Sequence, residues 1–200
     1  MLIDMHIHTR RGSPCSLLHI RDLIKQARKM HLDAVCITDH NTTKAVERAK
    51  KIGKQYGLLV LAGVEARCQE GDVLVFGPWD SSLAGSSAQN MLERVHHKNG
   101  VIIPAHPFRR SAPSLGSQIF DIHGFDGIEV LNGNSSDEQN LMAKEAALKL
   151  NLPALGGSDA HSRMNVGRYV TVFEDDGIFD EWNLISAIKE GRCRPKQNFG

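Results

Sequence analysis

The sequence predicts an α/β fold in which short strands alternate with helices and curl into a closed or nearly closed barrel. Three observations predict it. About seven apolar runs of strand length recur along 200 residues, helical patterns lie between several of them, and almost every run finishes on a histidine or a carboxylate. Strand and helix in alternation indicate βα units with parallel strands. In such a barrel the C-terminal strand ends share one rim, and that rim is where active sites are built.

The first strand is read at 2–7, "LIDMHI". Side chains alternate across a strand, so Leu2, Asp4, His6 and His8 are expected to project together and two imidazoles to converge on one point. A helix over 20–30 follows from Ile20, Leu23, Ile24, Ala27 and Met30 at three- and four-residue spacings. The strand at 34–38 delivers Asp39 and His40, the strand at 58–65 ends on Glu65, and another spans 72–77. "SSAQNMLERVHHKNG" reads as a helix with a polar start and Gly100 beyond its end. A strand at 101–105 leads to His106, and one at 127–131 brings Glu129 and Asn132. "DEQNLMAKEAALKLN" is rich in helix formers and acidic at its start. The strand at 153–157 leads to Asp159 and His161, and a last helix over 180–190 stops at Gly191. The loops "GSPCS", "DSSLAGSS" and "RRSAPSLGS" are expected to shape a pocket.

Two hundred residues suit a single domain, 1–200. With 24 basic against 23 acidic side chains the net charge is +1, which argues against a protein built around non-specific nucleic-acid binding. The cysteines Cys15, Cys36, Cys68 and Cys193 form no Cys-x-x-Cys pair and follow no basic-then-apolar leader, so a cytoplasmic location is expected. No apolar run approaches the roughly 20 residues that cross a bilayer, so no membrane partner is expected.

Any one of the strand-end residues, His106 for example, is as readily a satisfied structural polar group as a ligand. Gathered at one rim they are not. Asp39, Glu65 and Asp159 would repel one another, and the imidazoles would compete for too few partners, unless a cation sits among them. Imidazole and carboxylate donors suit zinc, manganese and iron alike. His19, His31, His96, His97 and His123 fall away from the strand ends and are expected on the surface.

The motifs "DMHIHT", "ITDHN", "GVEA", "AHPF" and "GGSDAH", in this order from Asp4 to His161, resemble those of the PHP (polymerase and histidinol phosphatase) family of metal-dependent phosphoesterases. The resemblance implies a distorted (β/α)7 barrel related to the TIM barrel, holding two or three divalent metal ions, zinc, manganese or iron. Carried over residue by residue, it implies that His6, His8, Glu65 and Asp159 hold one metal. Glu65 bridges to a second that His106 also binds, and His40 and His161 face a third. Glu65, Asp159 and His161 are then the catalytic residues. Asp4 and Asp39 are read as carboxylates that orient an imidazole. Family members often supply the third metal with an acid or histidine soon after the His-x-His, and "TRRGSPCS" has neither. Cys15 is the candidate there, either as a thiolate ligand or as a small packed residue. Glu129 and Asn132 are the candidates for a further ligand of the second metal, with Asn132 alternatively facing substrate.

The resemblance implies a phosphoesterase, and the expected substrate is a small phosphomonoester, such as a nucleotide, a sugar phosphate or an amino-alcohol phosphate. Hydrolysis would proceed by attack of metal-activated hydroxide on phosphorus. Arg10, Arg11, Arg109, Arg110, Arg163 and Arg168 follow the ligand motifs, and Arg109 is the first choice for a phosphate grip. Nucleic acid is expected only as a short oligonucleotide, because near-neutral charge and two tryptophans offer little for an extended groove. Three alternatives stay open: an exonuclease on short oligonucleotides, a binding module that keeps the fold without activity, and an amidohydrolase-like enzyme acting on C–N bonds. The binding module predicts missing ligands. The amidohydrolase predicts a metal-bridging lysine, and no strand end carries one.

Overall fold

The computed structural model describes residues 1–174 and 177–200. The strands are β1 (Leu2–Asp4), β2 (Ala34–Ile37), β3 (Leu59–Ala62), β4 (Val64–Arg67), β5 (Asp72–Phe76), β6 (Val101–Pro104), β7 (Ile128–Asn132), β8 (Ala154–Gly157), β9 (Tyr169–Phe173) and β10 (Cys193–Gln197). The helices are α1 (Ile20–Lys29), α2 (Val46–Gln55), α3 (Ala88–His97), α4 (Asp137–Leu150) and α5 (Glu181–Lys189). Local chemistry sets their limits. Ser136 and Gln139 form a reciprocal capping box at the start of α4, and Asn151 ends it in the left-handed conformation at φ 53°. Asp180 caps α5 by accepting from the Asn183 amide.

The strands hydrogen-bond in three sheets, ordered β10-β9-β1-β2-β3, β4-β5-β6 and β7-β8. Pairing is parallel from β1 through β3 and between β7 and β8. It is antiparallel along β4-β5-β6 and where β9 joins β1 and β10. The expectation of about seven parallel βα units is therefore corrected. The run at 58–65 divides between β3 and β4, and β4 and β5 are joined by a loop too short for a crossover, so they must run antiparallel. Helix α2 and strands β9 and β10 were not anticipated.

Bonds across the sheet boundaries tie the three together. Ile7 bridges Ala160, and the His8 amide donates to the Ala160 carbonyl at 3.0 Å, joining the end of β1 to the end of β8. His40 bridges Glu65, joining β2 to β4. The Ile102 amide donates to Asp126 Oδ2 at 2.8 Å, joining β6 to the approach to β7. One of these junctions, His40–Glu65, consists of predicted site residues, and another includes His8.

Inside, Ile3, Met5, Leu61, Leu74, Phe76 and Ile103 pack with Leu184 and Ile188 of α5. Outside, α1 and α2 cover β2 and β3 through Leu23, Ile24, Val46 and Ala49. Helices α3 and α4 cover the β5-β6-β7 side through Met91, Val95 and Ala143. Truncating a fully buried ring such as Phe76 to alanine costs about 3–5 kcal/mol. Most of the buried polar residues gather near strand ends.

Candidate metal centre

The regular ladder of β1 stops at Asp4, and the three polar side chains after Leu2 do not share one task. Asp4 turns away. Its carboxylate accepts from the amides of Ser158 at 2.9 Å, Gly167 at 2.9 Å and His6 at 3.3 Å, so it holds backbone and orients no imidazole. Desolvation in this fully buried position pushes its carboxyl up to about 6. His6 and His8 do converge, with their Nε2 atoms 3.0 Å apart. Gly157 leaves room for that approach, since a Cβ there would lie 2.5 Å from the Cβ of His6.

Each of the two imidazoles is held by its other nitrogen. His6 Nδ1 faces Glu129 Oε1 at 3.0 Å. His8 Nδ1 faces Ser13 Oγ at 3.2 Å, and that hydroxyl donates to Asp39 Oδ1 at 2.7 Å. These partners assign the N–H to Nδ1 in both rings and leave the two Nε2 lone pairs aimed into the same space. Asp39 therefore acts on His8 through Ser13 and not on His40. It also accepts from the Thr9 amide and hydroxyl, fixing the 9–13 loop.

Glu65, from β4, sits among three rings. His106 Nε2 lies 2.8 Å from Oε1, while His40 Nδ1 at 2.7 Å and His8 Nε2 at 3.2 Å approach Oε2. Buried Oε2 nevertheless accepts no hydrogen bond. Asp159 Oδ1 lies 3.2 Å from His8 Nε2 and 3.6 Å from His6 Nε2, and Oδ2 pairs with Arg109 Nη1. His161 Nδ1 bonds the Asp159 carbonyl at 2.9 Å, which leaves Nε2 free to ligate. His106 and Asp159 both hold left-handed backbone, φ 31° and 49°, a costly conformation for such residues that the surrounding bonds must maintain.

Electrostatics identify what this arrangement lacks. Burial opposes charging His6, yet Glu129, Asp159 and Glu65 carry it well above the usual histidine range. Burial also opposes ionising Glu65 and Asp159, yet His6 in particular holds both well below the usual carboxylate range. Burial lowers His8, and the Glu65 carboxylate raises His40. Buried Glu65, Glu129 and Asp159 draw positive charge onto the rings beside them, a task that suits a cation as well. Distances fit as well, since two nitrogens about 2.1 Å from one ion and about a right angle apart lie about 3.0 Å from each other.

Donor atoms within 4.8 Å of one another form four overlapping groups: His6, His8 and Glu65; His6, His106 and Asp159; Glu65, Asp72 and His106; and His8, His40 and His161. All seven expected ligands are included. Asp72 is an addition. It opens β5 directly across from Arg67 at the end of β4, and its carboxylate is paired with the Arg67 guanidinium. Burial, and then the charge of Glu65, push its carboxyl up.

Three expected candidates fall outside these groups. Cys15 is exposed and so not a packed residue, it joins none of the donor groups, and desolvation raises its thiol. Glu129 has both oxygens engaged, by His6 Nδ1, the His106 amide at 2.7 Å and Asn132 Nδ2 at 3.0 Å. Asn132 bonds Glu129 and Asp159 and accepts from the Asn134 amide. Glu129 and Asn132 thus set the positions of ligands. Arg109 is locked to Asp159, with its buried Nε left without a hydrogen-bond partner. Of the five remaining histidines four are exposed, while His96 is half-buried and pairs with Asp126 at 2.8 Å.

A family model described as the PHP domain matches residues 4–115, and one described as PHP-associated matches 137–193. The chain is 32% identical over 146 residues to an uncharacterized protein of Methanocaldococcus jannaschii, covering 68% of this chain and 85% of that one. It is 30% identical over 84 residues to a PolC-type DNA polymerase III of Caldanaerobacter subterraneus, covering 42% of this chain but only 6% of the polymerase. In fold it resembles a two-domain protein from Bacteroides vulgatus described as containing a predicted PHP-like metal-dependent phosphoesterase. The TM-score is 0.78 and the identity 17%, with 99% of this chain matched and 65% of that one.

Proposed function

We propose, from the premise that the chain belongs to the PHP family, that it is a metal-dependent phosphoesterase releasing phosphate from a small phosphomonoester. One observation carries the reading: Glu65 Oε2, buried and without a hydrogen bond, lies where two histidine nitrogens converge and every other donor is already oriented. His6, His8 and Glu65 would hold one ion, and His106 and Asp159 with His6 would extend the centre. Asp72 with Glu65 and His106 offers a further position, and His40 and His161 with His8 close the outer side. Divalent ions in such a centre supply an activated water and positive charge for the phosphate oxygens.

The protein's own groups do the rest. Glu129 and Ser13 keep the Nε2 lone pairs of His6 and His8 facing inward. Arg109, poised beside Asp159, presents guanidinium charge to an incoming phosphate. His161, about a third exposed and with Nδ1 on the Asp159 carbonyl, would complete the outer side through Nε2, so the leaving group would take its proton from water. The reading takes the three sheets as one distorted (β/α)7 barrel within one domain, which the bonds between sheets support. It takes the setting as the cytoplasm, in keeping with four free thiols.

The test is metal content per chain on gently purified protein, together with phosphate release from a panel of phosphomonoesters in added manganese or zinc. Two or three ions with turnover are expected. Bound metal without release from any ester would remove the phosphoesterase reading, and protein that takes up no metal would remove the centre itself.

A further inference from the structure

Beside the metal centre lies a second concavity, a cleft of about 740 Å³ floored by Leu18, Ile20 and Ile52. That is within the size range of small-molecule sites. Its walls carry Arg10, Arg11, Arg21, Lys25, Lys44 and Arg48 against the single carboxylate of Asp22. The whole chain is almost electrically balanced, at 24 basic and 23 acidic side chains, so this imbalance is local. Among the described residues none of the six lies within ion-pair distance of a carboxylate, Asp22 included. The convergence also runs against helix stability. Arg21 and Lys25 stand four apart on α1, where like charges repel, and Lys44 precedes α2 while Arg48 lies in its first turn, where the helix dipole disfavours a cation.

The cleft and the centre share their wall. Loop 9–13 carries Ser13 against His8 and also Arg10 and Arg11, while the segment after β2 carries His40 and then Lys44. Arg11 Nε bonds the Lys44 carbonyl at 3.4 Å, which joins the two segments. One residue, Thr9, separates Arg10 from His8, so their Cα atoms lie within about 7 Å. The ligands on the open side, His40 and His161, keep about a third of their side-chain surface exposed.

We propose that this cleft binds a second phosphate group of the substrate, so that the preferred substrate is a bisphosphorylated small molecule with one phosphate at the metal centre and the other among these cations. The inference rests on the phosphoesterase reading and names its substrate class. Guanidinium and ammonium groups without carboxylate partners recognise a phosphate dianion by charge-assisted hydrogen bonds. Six cations line the cleft against one aromatic ring, His19, which weights it toward phosphate over stacked bases as the group recognised.

The test uses probes that cannot be hydrolysed, hexane-1,6-bisphosphonate and hexylphosphonate, titrated calorimetrically into the manganese-loaded protein. The wild type should bind the bisphosphonate about tenfold tighter or more. Arg21→Glu with Arg48→Glu should bring the two affinities within about twofold, Lys25→Glu alone should have a smaller effect in the same direction, and Lys144→Glu on α4 should have none. Melting curves establish that each variant is folded. Equal affinities in the wild type, or a preference that survives the double charge reversal, would overturn the proposal. Phosphate release from esters is measured separately: a bisphosphonate preference without any release supports the anion cleft and discards the hydrolase reading.

Discussion

On the inner side of the metal centre His6 and His8 are inaccessible, and each has its second nitrogen held by Glu129 or Ser13. On the outer side His40 and His161 keep 34% and 29% of their side chains exposed, and His161 Nδ1 is bonded to a backbone carbonyl two residues away. The inner donors are fixed before any ion arrives, so little ordering remains to oppose binding. The outer donors can adjust as substrate enters. Tight retention and access are thus assigned to different histidines of one cluster.

Glu65 belongs to both sides, and Glu65→Ala should have the largest effect. Metal content should fall by at least one ion per chain, and phosphate release should fall roughly 1000-fold or more. Retention of full activity would break the comparison at its centre. Next is Glu129→Gln, which leaves the ligands in place but weakens the hold on His6. A loss of about 10–100-fold in metal affinity is expected, read from metal content after dialysis against graded chelator. An unchanged affinity would mean that the inner side is not set in advance. His161→Ala should remove no more than the outer ion, leaving the inner ions bound. If it emptied the centre, the two sides would be one cooperative unit.

The smallest effect is expected far from the centre. Glu181 accepts from the Ala62 amide at 2.8 Å and pairs with Lys50 at 2.5 Å. Burial opposes its ionisation, but Lys50 and the Ala62 amide hold its carboxyl below the ordinary range. A carboxyl depressed in the folded state stabilises fully above its unfolded pKa of about 4.3 and loses that contribution as pH falls through the folded value. Wild type should therefore melt slightly higher than Glu181→Gln at neutral pH, by less than about 1 kcal/mol, and the gap should close in acid. Metal content should not differ.

The sequence disclosed what depends on strand ends. His6, His8, His40, Glu65, His106, Asp159 and His161 each lie near the end of an apolar run, and a single rule finds all seven. Asp72 escaped that rule because it begins a strand. It reaches the rim only because β5 turns back along β4, and the short segment "CQEGD" with Gly71 was the available hint of a hairpin. The role of Glu129 was hidden for another reason, since its partner His6 lies far away in the chain and only tertiary structure brings them together. Asp4 misled because strand alternation was extended past the point where the ladder stops. Strand β10, "CRPKQ", is polar, contains proline and pairs only with β9, so it leaves no periodic trace. Helix α2 buries the small residues Ala49 and Gly53 beside Val46, a faint stripe easily passed over.

The strand that carries His6 and His8 pairs on one side with β9, and its continuation bridges Ala160 beyond β8. Translation delivers these pieces in an unhelpful order. The two histidines precede Asp159 by about 150 residues, which at typical elongation rates is on the order of ten to thirty seconds. A nascent chain in that interval offers the His-x-His with β2, Glu65 and Glu129 but without Asp159, β8 and β9. Completion of the proposed centre is then a late event in biogenesis, and a product truncated before β8 should retain less metal.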